Sequence, residues 1–298
     1  MITTLTLNPA FDIHVSIDDF QLYHENLAEN MSKDVGGKGV NISRALVENG
    51  IKNTAIILCG SENMREFTEG LKQVGLYYYK AIECDGRIRE NITIHPSSGK
   101  ETRLSFKGFS CNKTHLEKVE ALVSHSEYVT FTGSLPTGIT ASDAEDFLMR
   151  LKYKGIKLVI DSKSISLDML KRINPYLIKP NEEEIAEYTG VSDKSQLCDI
   201  ALELNHNGIE NVLISLGENG AILASGKKVY TAKVPPIRAV STIGAGDSTI
   251  AGFISSCDSP EQRLRTAVSF GTAACLREGT NPPLKKDIKK ISKSVIIS

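Results

Sequence analysis

EYVTFTGSLPTGITASDAEDFLMRLKYKGIKLVIDS, residues 127–162, is the stretch of sequence that decides the fold. Its two ends, EYVTFTGS and IKLVIDS, are short runs rich in β-branched and aromatic residues, which is typical of buried strands. The part between them, SDAEDFLMRLKYKG, repeats apolar residues at helical spacing and closes at Gly155, a residue type that often follows a helix. A strand, a helix and a strand in this order predict a βαβ unit in a parallel sheet.

The same alternation begins near residue 110 and continues after this unit. The segments THLEKVEALVSHS, LDMLKRINP, EEEIAEYTG and DKSQLCDIALELNHNG are predicted to be helices, and YLIKPN and NVLISLG are predicted to be strands. Short apolar strands that alternate with amphipathic helices require helices on both faces of the sheet. We therefore predict an α/β fold with a mostly parallel central sheet.

Two segments, residues 11–35 and 87–110, lack crossover helices. Within the second, RENITIHPSSGKETRLSF contains two alternating runs around the turn residues HPSSGK, and this pattern predicts a hairpin. We expect the two segments to form a small antiparallel sheet. It would be either a lid over a cleft or an extension of the edge of the main sheet. Residues 1–298 are otherwise expected to form a single domain.

The composition excludes several classes of protein. The net charge is −1, from 35 basic and 36 acidic side chains, so no nucleic-acid or membrane-surface partner is expected. The first dozen residues lack a basic region and no apolar run approaches the roughly 20 residues that span a bilayer. We expect a soluble, cytoplasmic protein.

The six cysteines form no C-x-x-C pair and the six histidines show no metal-ligand spacing. Reduced, mostly buried thiols are therefore expected, and a structural zinc site is not.

The first glycine-rich loop is in VGGKGVNISRALVENG, residues 35–50. Gly36, Gly37 and Gly39 surround Lys38, and the apolar residues that follow have helical spacing. A helix N-terminus with unpaired N–H groups and a lysine can bind an anion, above all a phosphate group. The alternative is a tight turn with a surface lysine. The loop matches neither a P-loop nor G-x-G-x-x-G, which disfavours a dinucleotide-dependent dehydrogenase.

The second loop is STIGAGDSTIAGF, residues 241–253, and it also opens a helix. The N–H groups of Gly244, Ala245 and Gly246 could receive an anion on which negative charge accumulates. Asp247 would then remove the proton from a hydroxyl group, and the resulting alkoxide would attack a phosphoryl group held by these donors. The alternative is that Asp247 only stabilises the start of the helix.

Two further stretches follow predicted strands. In LIKPNEEE, residues 177–184, Asn181 can cap the next helix, and Glu184 either supports this cap or holds a magnesium ion through water. Such a position at the carboxyl end of a parallel strand is also where α/β sheets bind ligands. In SLGENGA, residues 215–221, a glycine-rich turn would let the backbone approach a nucleotide closely.

Six motifs together resemble those of the ribokinase-like carbohydrate kinases, the PfkB family. They occur in the family's order: TLNPAFD at 6–12, GGKGVN at 36–41, TGSLP at 132–136, IKPNEEE at 178–184, SLGENGA at 215–221 and TIGAGDS at 242–248. The first and fourth motifs resemble the ketohexose-phosphate branch, which contains fructose-1-phosphate kinase, tagatose-6-phosphate kinase and the minor 6-phosphofructokinase. The resemblance implies a ribokinase-like three-layer α/β/α fold with a small β-sheet lid.

The resemblance also implies a reaction and roles for named residues. ATP and Mg²⁺ would convert a ketohexose phosphate to the bisphosphate, with Asp247 as the base and Gly244, Ala245 and Gly246 as the anion hole. The implied sugar-phosphate ligands are Asp12, Gly36, Gly37, Lys38, Asn41, Arg89 and Asn91. The implied nucleotide ligands are Lys179, Asn181, Ser215, Gly217, Gly220 and Gly246, with Glu184 for magnesium. Arg89 could also be a simple surface charge of the lid.

A homodimer formed through the lid is a further expectation from the family. The chain departs from the family pattern on the second lid strand, where Arg103 and Ser105 stand and Lys107 and Phe109 follow. It departs again after IKLVID, where the family usually has a glycine and this chain has SKS. These departures leave the choice among fructose 1-phosphate, tagatose 6-phosphate and fructose 6-phosphate open. A non-catalytic sugar-phosphate sensor would be expected to lack the base or the anion hole, and both are present.

Overall fold

The predicted βαβ unit lies near the middle of the large sheet. In the computed structural model, which describes residues 1–256 and 258–298, the unit forms a strand at Tyr128–Thr132, a helix at Ala141–Tyr153 and a strand at Lys157–Asp161. The helix begins where the Thr140 hydroxyl accepts a hydrogen bond from the N–H of Asp143, while the Asp143 carboxylate accepts one from the N–H of Thr140. This reciprocal capping satisfies backbone donors that the first helical turn would otherwise leave free.

The helices and strands follow the predicted alternation. The strands are β1 (Ile2–Thr6), β2 (Ala10–Ile17), β3 (Asn30–Gly36), β4 (Asn53–Gly60), β5 (Tyr79–Cys84), β6 (Arg89–Pro96), β7 (Thr102–Ser105), β8 (Tyr128–Thr132), β9 (Lys157–Asp161), β10 (Leu177–Ile178), β11 (Asn211–Ser215), β12 (Ala221–Ser225), β13 (Lys228–Lys233) and β14 (Ile296–Ile297). The helices are α1 (Lys38–Glu48), α2 (Met64–Gln73), α3 (Lys113–Leu122), α4 (Ala141–Tyr153), α5 (Leu167–Ile173), α6 (Glu182–Thr189), α7 (Leu197–His206), α8 (Ala245–Ser255), α9 (Pro260–Ala274) and α10 (Lys285–Ser292).

The large sheet has the strand order β5-β4-β1-β8-β9-β10-β11-β12-β13-β14. Neighbouring strands from β5 through β11 run parallel, and β12, β13 and β14 continue the sheet in antiparallel pairs. The prediction of a mostly parallel α/β sheet is therefore confirmed. Parallel strands place all their carboxyl ends at one edge of the sheet, and the site lies along this edge.

Helices cover both faces of this sheet. In β8, Val129 and Phe131 belong to one apolar core, which α2 to α7 complete together with Val40 of α1, whereas Tyr128 belongs to a second core with the rest of α1, α8, α9 and α10. Successive side chains of a strand point to opposite faces, so the alternation assigns the two cores to the two faces of the sheet. The arrangement is the expected three-layer α/β/α sandwich.

A separate sheet with the order β3-β2-β6-β7 holds the strands of the two interrupting segments. The predicted hairpin is confirmed, because β6 and β7 pair antiparallel. The expectation of a purely antiparallel sheet is wrong, because β2 and β6 pair parallel. Between these two strands the chain passes through α1, β4, α2 and β5 of the main layers, and a long crossover of this kind permits parallel pairing. The alternative prediction, that the two segments extend the edge of the main sheet, is also wrong, because their strands form this separate sheet.

The described cysteines are free thiols. Cys59, Cys84 and Cys111 are buried, and Cys198 and Cys275 are partly buried, as the sequence predicts. The corresponding prediction for Cys257 lies outside the described residues. Among the helices of residues 1–256 and 258–298, none combines the length and the apolar character that crossing a bilayer would require.

Candidate active site

A cavity of about 470 Å³ opens between the carboxyl edge of the large sheet and the small sheet. The predicted site residues that line it are Asp12, Gly37, Lys38, Asn41, Arg89, Asn91, Lys179, Asn181, Glu184, Gly244, Gly246 and Asp247. Further lining residues include Asn8, Arg103, Thr132, Ser134, Asp161 and Thr280. The residues that the sequence assigns to base, sugar and phosphate functions thus meet at the edge where α/β folds bind ligands.

Asp247 lies in the first turn of α8, three residues after the N-cap residue Gly244. Its side chain is only 6% exposed, yet it contributes to the wall of the cavity. Asn41 Nδ2 donates a hydrogen bond of 2.9 Å to Asp247 Oδ2. Burial raises the pKa of Asp247 to about 6, although Asn41 and two nearby lysines act in the opposite direction. A carboxyl with this pKa is ionised at neutral pH and can still accept a proton.

Two residues of the predicted anion hole, Gly244 and Gly246, line the cavity. Gly244 adopts a left-handed conformation, with φ of 76°, and this conformation lets the chain turn sharply into the helix. The N–H of Ala245 donates to the carbonyl oxygen of Thr242 at 3.3 Å, and Ala245 does not line the cavity. The first-turn N–H groups of Gly246 and Asp247 have no intrahelical acceptor by the geometry of a helix start. These donors, more than Ala245, can receive an anion from the cavity.

Two lysines and a buried carboxylate lie beside this loop. Lys38 Nζ donates to Asp161 Oδ2 at 2.8 Å, where the Lys38 side chain is 40% exposed and the Asp161 side chain 6% exposed. Burial alone would raise the pKa of Asp161, but Lys179 and Lys38 hold it below the ordinary value. A Cβ atom added to Gly246 would lie 3.1 Å from Lys179 Nζ, so the Lys179 ammonium group lies against the backbone of the loop.

The opposite end of the cavity is built from the small sheet. On β2, Asp12 accepts hydrogen bonds from Asn91 Nδ2 at 3.0 Å and from Arg103 Nη2 at 3.3 Å. A side chain at Gly36 would collide with the Asp12 carboxylate, so Gly36 makes room for Asp12 and does not itself line the cavity. Asn91 and Arg103 come from the two strands of the predicted hairpin. The hairpin thus brings the guanidinium group of Arg103 close to the site, in addition to that of Arg89.

Several polar atoms in the cavity wall have no partner. Arg89 Nη2 donates to the carbonyl oxygen of Asn8 at 3.3 Å, whereas its Nε is buried without a hydrogen bond. Burial lowers the pKa of Arg89, and the nearby Asp12 carboxylate partly offsets this effect. Residues that line the cavity hold further buried atoms without partners: Thr6 Oγ1, Asn8 Oδ1, Asn41 Oδ1, Asn91 Oδ1 and Thr132 Oγ1. Buried polar atoms of this kind usually bind a ligand or water.

Asn181 and Glu184 form a reciprocal cap at the start of α6. The N–H of Glu184 donates to Asn181 Oδ1 at 2.7 Å, and the N–H of Asn181 donates to Glu184 Oε2 at 3.0 Å. Both residues line the cavity, and Glu184 is only partly buried. Magnesium is commonly held by one or two carboxylates together with water and substrate phosphates. A partly buried Glu184 in the wall of the cavity fits this pattern, although one of its oxygens is already used by the cap.

The remaining predicted nucleotide residues do not line the cavity. Ser215 lies at the end of β11, where its N–H donates to the carbonyl oxygen of Pro180 at 3.0 Å, next to Asn181. Gly217 and Gly220 lie in the turn between β11 and β12. A side chain at Gly220, where φ is 99°, would collide with the backbone oxygen of Ala232. Close packing against β13 thus accounts for the glycine at this position without a nucleotide.

Comparison with known proteins now assigns the chain to a family. The family model described as "pfkB family carbohydrate kinase" matches residues 5–287, which is most of the chain. The chain belongs to the pfkB family of carbohydrate kinases. The predicted family and the predicted phosphotransferase activity are therefore confirmed. Because the matched region includes every strand of the small sheet and most of the large one, the family assignment covers the small sheet as well as the main layers.

Individual relatives of this pfkB kinase carry related names. A 1-phosphofructokinase from Borreliella burgdorferi is 33% identical, with 98% of this chain and 96% of the relative covered. A tagatose-6-phosphate kinase from Staphylococcus epidermidis is 30% identical, with 94% of each chain covered. The crystal structure of phosphofructokinase-2 from Escherichia coli with fructose-6-phosphate has a TM-score of 0.88 and 25% identity, with 98% of each chain covered. The same enzyme has been solved as a tetramer in an inhibited form.

The sequence interpretation missed Asp161 as a residue of the pfkB kinase site. Its position at the end of β9 was the available signal, because acids at the carboxyl ends of parallel strands lie at the ligand-binding edge. Arg103 was noted as a departure from the family pattern without a role. Only the pairing of β6 with β7 shows that its side chain lies over the cavity.

Proposed function

We propose that the protein transfers the γ-phosphoryl group of ATP to a free hydroxyl of a ketohexose monophosphate, which gives the bisphosphate and ADP. The observation that carries this proposal is the placement of Asp247. Its carboxylate is buried at the N-terminus of α8, yet it lines a cavity with free backbone donors on one side and the polar side chains Asp12, Asn91 and Arg103 of the small sheet on the other. A proton acceptor is thus adjacent to a binding site for the group that the hydroxyl attacks.

Asp247 acts as the general base in this proposal. With a pKa of about 6, the carboxylate is mostly ionised at neutral pH, and it takes the hydroxyl proton as the oxygen attacks phosphorus. Asn41 holds one carboxylate oxygen through its 2.9 Å hydrogen bond, so the other oxygen can face the substrate. The N–H groups of Gly246 and Asp247 stabilise the negative charge on the phosphoryl oxygens during transfer.

The two lysines supply positive charge near the same point. Lys179 lies against Gly246. Burial lowers the pKa of Lys38, but the nearby carboxylates of Asp161, Asp247 and Glu184 raise it above the ordinary value. We propose that Lys179 contacts the ATP phosphates and that Lys38 lies between them and the acceptor hydroxyl. Asp161 positions Lys38 through their hydrogen bond and attracts Lys179 electrostatically. Magnesium bound through Glu184 and water would neutralise charge on the phosphates of ATP.

The existing phosphate of the substrate is proposed to bind at the small sheet. Arg89 and Arg103 both line this end of the cavity, and the buried Nε of Arg89 has no partner. A guanidinium group can form two parallel hydrogen bonds with a phosphate, which gives both affinity and orientation. Asp12 lies beside both arginines and can accept hydrogen bonds from sugar hydroxyls. This division places the sugar between its own phosphate at the small sheet and Asp247 at α8.

The substrate is tested by measuring ADP release with fructose 1-phosphate, tagatose 6-phosphate and fructose 6-phosphate under identical conditions with MgATP. We expect turnover with at least one of them and a clear order of kcat/KM among the three. Unphosphorylated fructose is the matched control, and it should be a poor substrate because it offers nothing to Arg89 and Arg103. Binding of a sugar phosphate without ADP release would instead identify a sensor and would contradict the proposed function.

We further propose that the protein acts as a homodimer in the cytoplasm, where ATP and sugar phosphates are available. Asp12, Asn91 and Arg103 face the cavity, so the strand alternation turns their neighbours to the opposite face of the small sheet. The residues on that opposite face include Ile13, Val15, Met31, Ile92, Ile94 and Leu104. Met31 is 69% and Leu104 47% exposed, and an apolar face of this kind is suited to pack against a second copy.

A further inference from the structure

Cys84, Cys111 and His115 form a cluster outside the kinase cavity. One ligand atom from each residue, the two sulfurs and an imidazole nitrogen, lies within 4.8 Å of the other two. Both cysteines are buried, at 2% and 6% exposure, and His115 is partly exposed. The proposed phosphoryl transfer uses none of these side chains, so the cluster requires an explanation of its own.

The cluster lies where the β6–β7 hairpin joins the main layers. Cys84 is the last residue of β5, and Cys111 directly precedes the cap of α3. Asp85 and Ser110 face each other in an isolated antiparallel bridge, and Ser110 N–H donates to Asp85 O at 3.2 Å. Cys84 and Cys111 are the next pair along this bridge, so their side chains can point the same way. The pairing of the backbone therefore brings together two thiols that are far apart in the sequence.

The separation of the two sulfurs is shorter than a single tetrahedral ion requires. The Cys111 thiol donates to the Cys84 sulfur, and the two sulfurs lie 3.1 Å apart. Zinc–sulfur bonds of roughly 2.3 Å at a tetrahedral angle place two sulfurs about 3.8 Å apart. Small rotations of the two side chains would open the pair to this separation. The ion would replace the proton that the thiols now share, and both thiol protons would leave to solvent.

His115 provides the third ligand and has a partner that can orient its ring. Its Nδ1 accepts a hydrogen bond of 3.2 Å from the backbone N–H of Asn112, the residue that caps α3, and also lies 2.8 Å from Asn112 Oδ1. When Nε2 of a histidine binds a metal, Nδ1 carries the proton and commonly donates it to a carbonyl or carboxylate oxygen. Metal binding through Nε2 would therefore place the proton on Nδ1 and exchange the hydrogen bond from the Asn112 N–H for one to Asn112 Oδ1. Two thiolates and an imidazole are a ligand set typical of zinc sites, with water as the fourth ligand.

We propose that Cys84, Cys111 and His115 form a binding site for a thiophilic divalent cation, with Zn²⁺ as the natural occupant. The ion would join the end of β5 to the first turn of α3 and so fix the base of the hairpin that carries Arg89, Asn91 and Arg103. Bound Zn²⁺ should therefore slow the opening of the bridge between Asp85 and Ser110.

Cobalt titration of the fully reduced chain tests this site, because thiolate coordination of Co²⁺ gives a charge-transfer absorption band. We expect a band that saturates at one ion per chain and disappears when Zn²⁺ is added. Cys84→Ser and Cys111→Ser should each lose the band, and His115→Ala should raise the Kd for Co²⁺ by roughly tenfold or more. Cys198→Ser is the matched control because Cys198 lies on α7, away from the cluster, and it should bind like the wild type.

A second measurement uses only the wild-type chain, in case the cysteine variants fold poorly. Stoichiometric Zn²⁺ should slow hydrogen exchange in peptides that contain Asp85 or Ser110 and slow alkylation of Cys84 and Cys111, but leave alkylation of Cys198 unchanged. The proposal is wrong if the reduced chain gives no saturable cobalt band and Zn²⁺ changes neither rate. It is also wrong if Cys84 and Cys111 join in a disulfide on air oxidation while the reduced chain binds no cobalt.

Discussion

Replacing Asn41 with leucine should change the pH at which the enzyme loses activity. Asn41 Nδ2 donates to Asp247 Oδ2 at 2.9 Å and is the main contribution that lowers the pKa of this carboxyl. Leucine has a similar size and no donor. A hydrogen bond to a charged group contributes about 1.5–3 kcal/mol, and 1.36 kcal/mol corresponds to one pKa unit. We therefore expect the pKa of Asp247 to rise by roughly 1–2 units in Asn41→Leu.

The sign and size of the effect on activity follow from the need for an ionised base. In the wild type, kcat/KM should fall as the pH decreases through about 6, because protonated Asp247 cannot accept the hydroxyl proton. If the pKa of Asp247 in Asn41→Leu is near 7.5, the ionised fraction at pH 6.5 falls to about one tenth, a loss of roughly eightfold relative to wild type. At pH 8.5 the loss from this cause should almost disappear.

The assay is kcat/KM for the best sugar phosphate, measured from pH 5.5 to 9 in buffers of constant ionic strength. Asn41→Asp gives a second, independent point, because a neighbouring carboxylate should raise the pKa of Asp247 at least as far as leucine does. Circular dichroism establishes that each variant is folded. Acidic limbs at the same pH in all three proteins would refute the idea that Asn41 holds the base in its ionised form.

Three further predictions concern the small sheet and the nucleotide side. Arg103→Ala should raise the KM for the sugar phosphate by roughly 10- to 100-fold with little change in kcat, because a charge-assisted hydrogen bond to the substrate is lost. Arg65→Ala is the control, because the Arg65 side chain on α2 is 91% exposed. Leu104→Asp should convert the dimer to a monomer in analytical ultracentrifugation, whereas Leu122→Asp on the exposed side of α3 should leave the dimer intact. A dimer that persists in Leu104→Asp would contradict the proposed interface. Gly220→Ala should destabilise the fold by about 1–3 kcal/mol in urea titrations, and unchanged stability would point instead to a nucleotide contact.

The order of the main layers could be predicted from the sequence because it depends on local patterns. Apolar spacing distinguished strands from helices across residues 127–162, and Gly190 marked the end of α6 in the left-handed conformation. The loops before α1 and α8 were identifiable because glycine, lysine and aspartate occur there together. Each of these signals lies within about a dozen residues of sequence.

What the sequence did not reveal depends on contacts between distant segments. The pairing of Lys38 with Asp161 joins the start of α1 to the end of β9, and nothing near either residue indicates it. The parallel pairing of β2 with β6 is likewise a consequence of the crossover through the main layers. The approach of Cys84 to Cys111 requires the bridge between Asp85 and Ser110. Spacing along the chain carries no information about contacts between distant residues, so only the three-dimensional structure shows them.

The turnover of Asp247→Asn tests the central claim most directly. Asparagine keeps the shape of the side chain but cannot accept the hydroxyl proton, so we expect kcat to fall by roughly 10²–10⁴-fold while ATP still binds with near wild-type affinity. Asp199→Asn is the matched control, because Asp199 occupies the first turn of α7 as Asp247 does that of α8, but is exposed. Wild-type kcat in Asp247→Asn would contradict the account, because the hydroxyl would then lose its proton without this carboxylate.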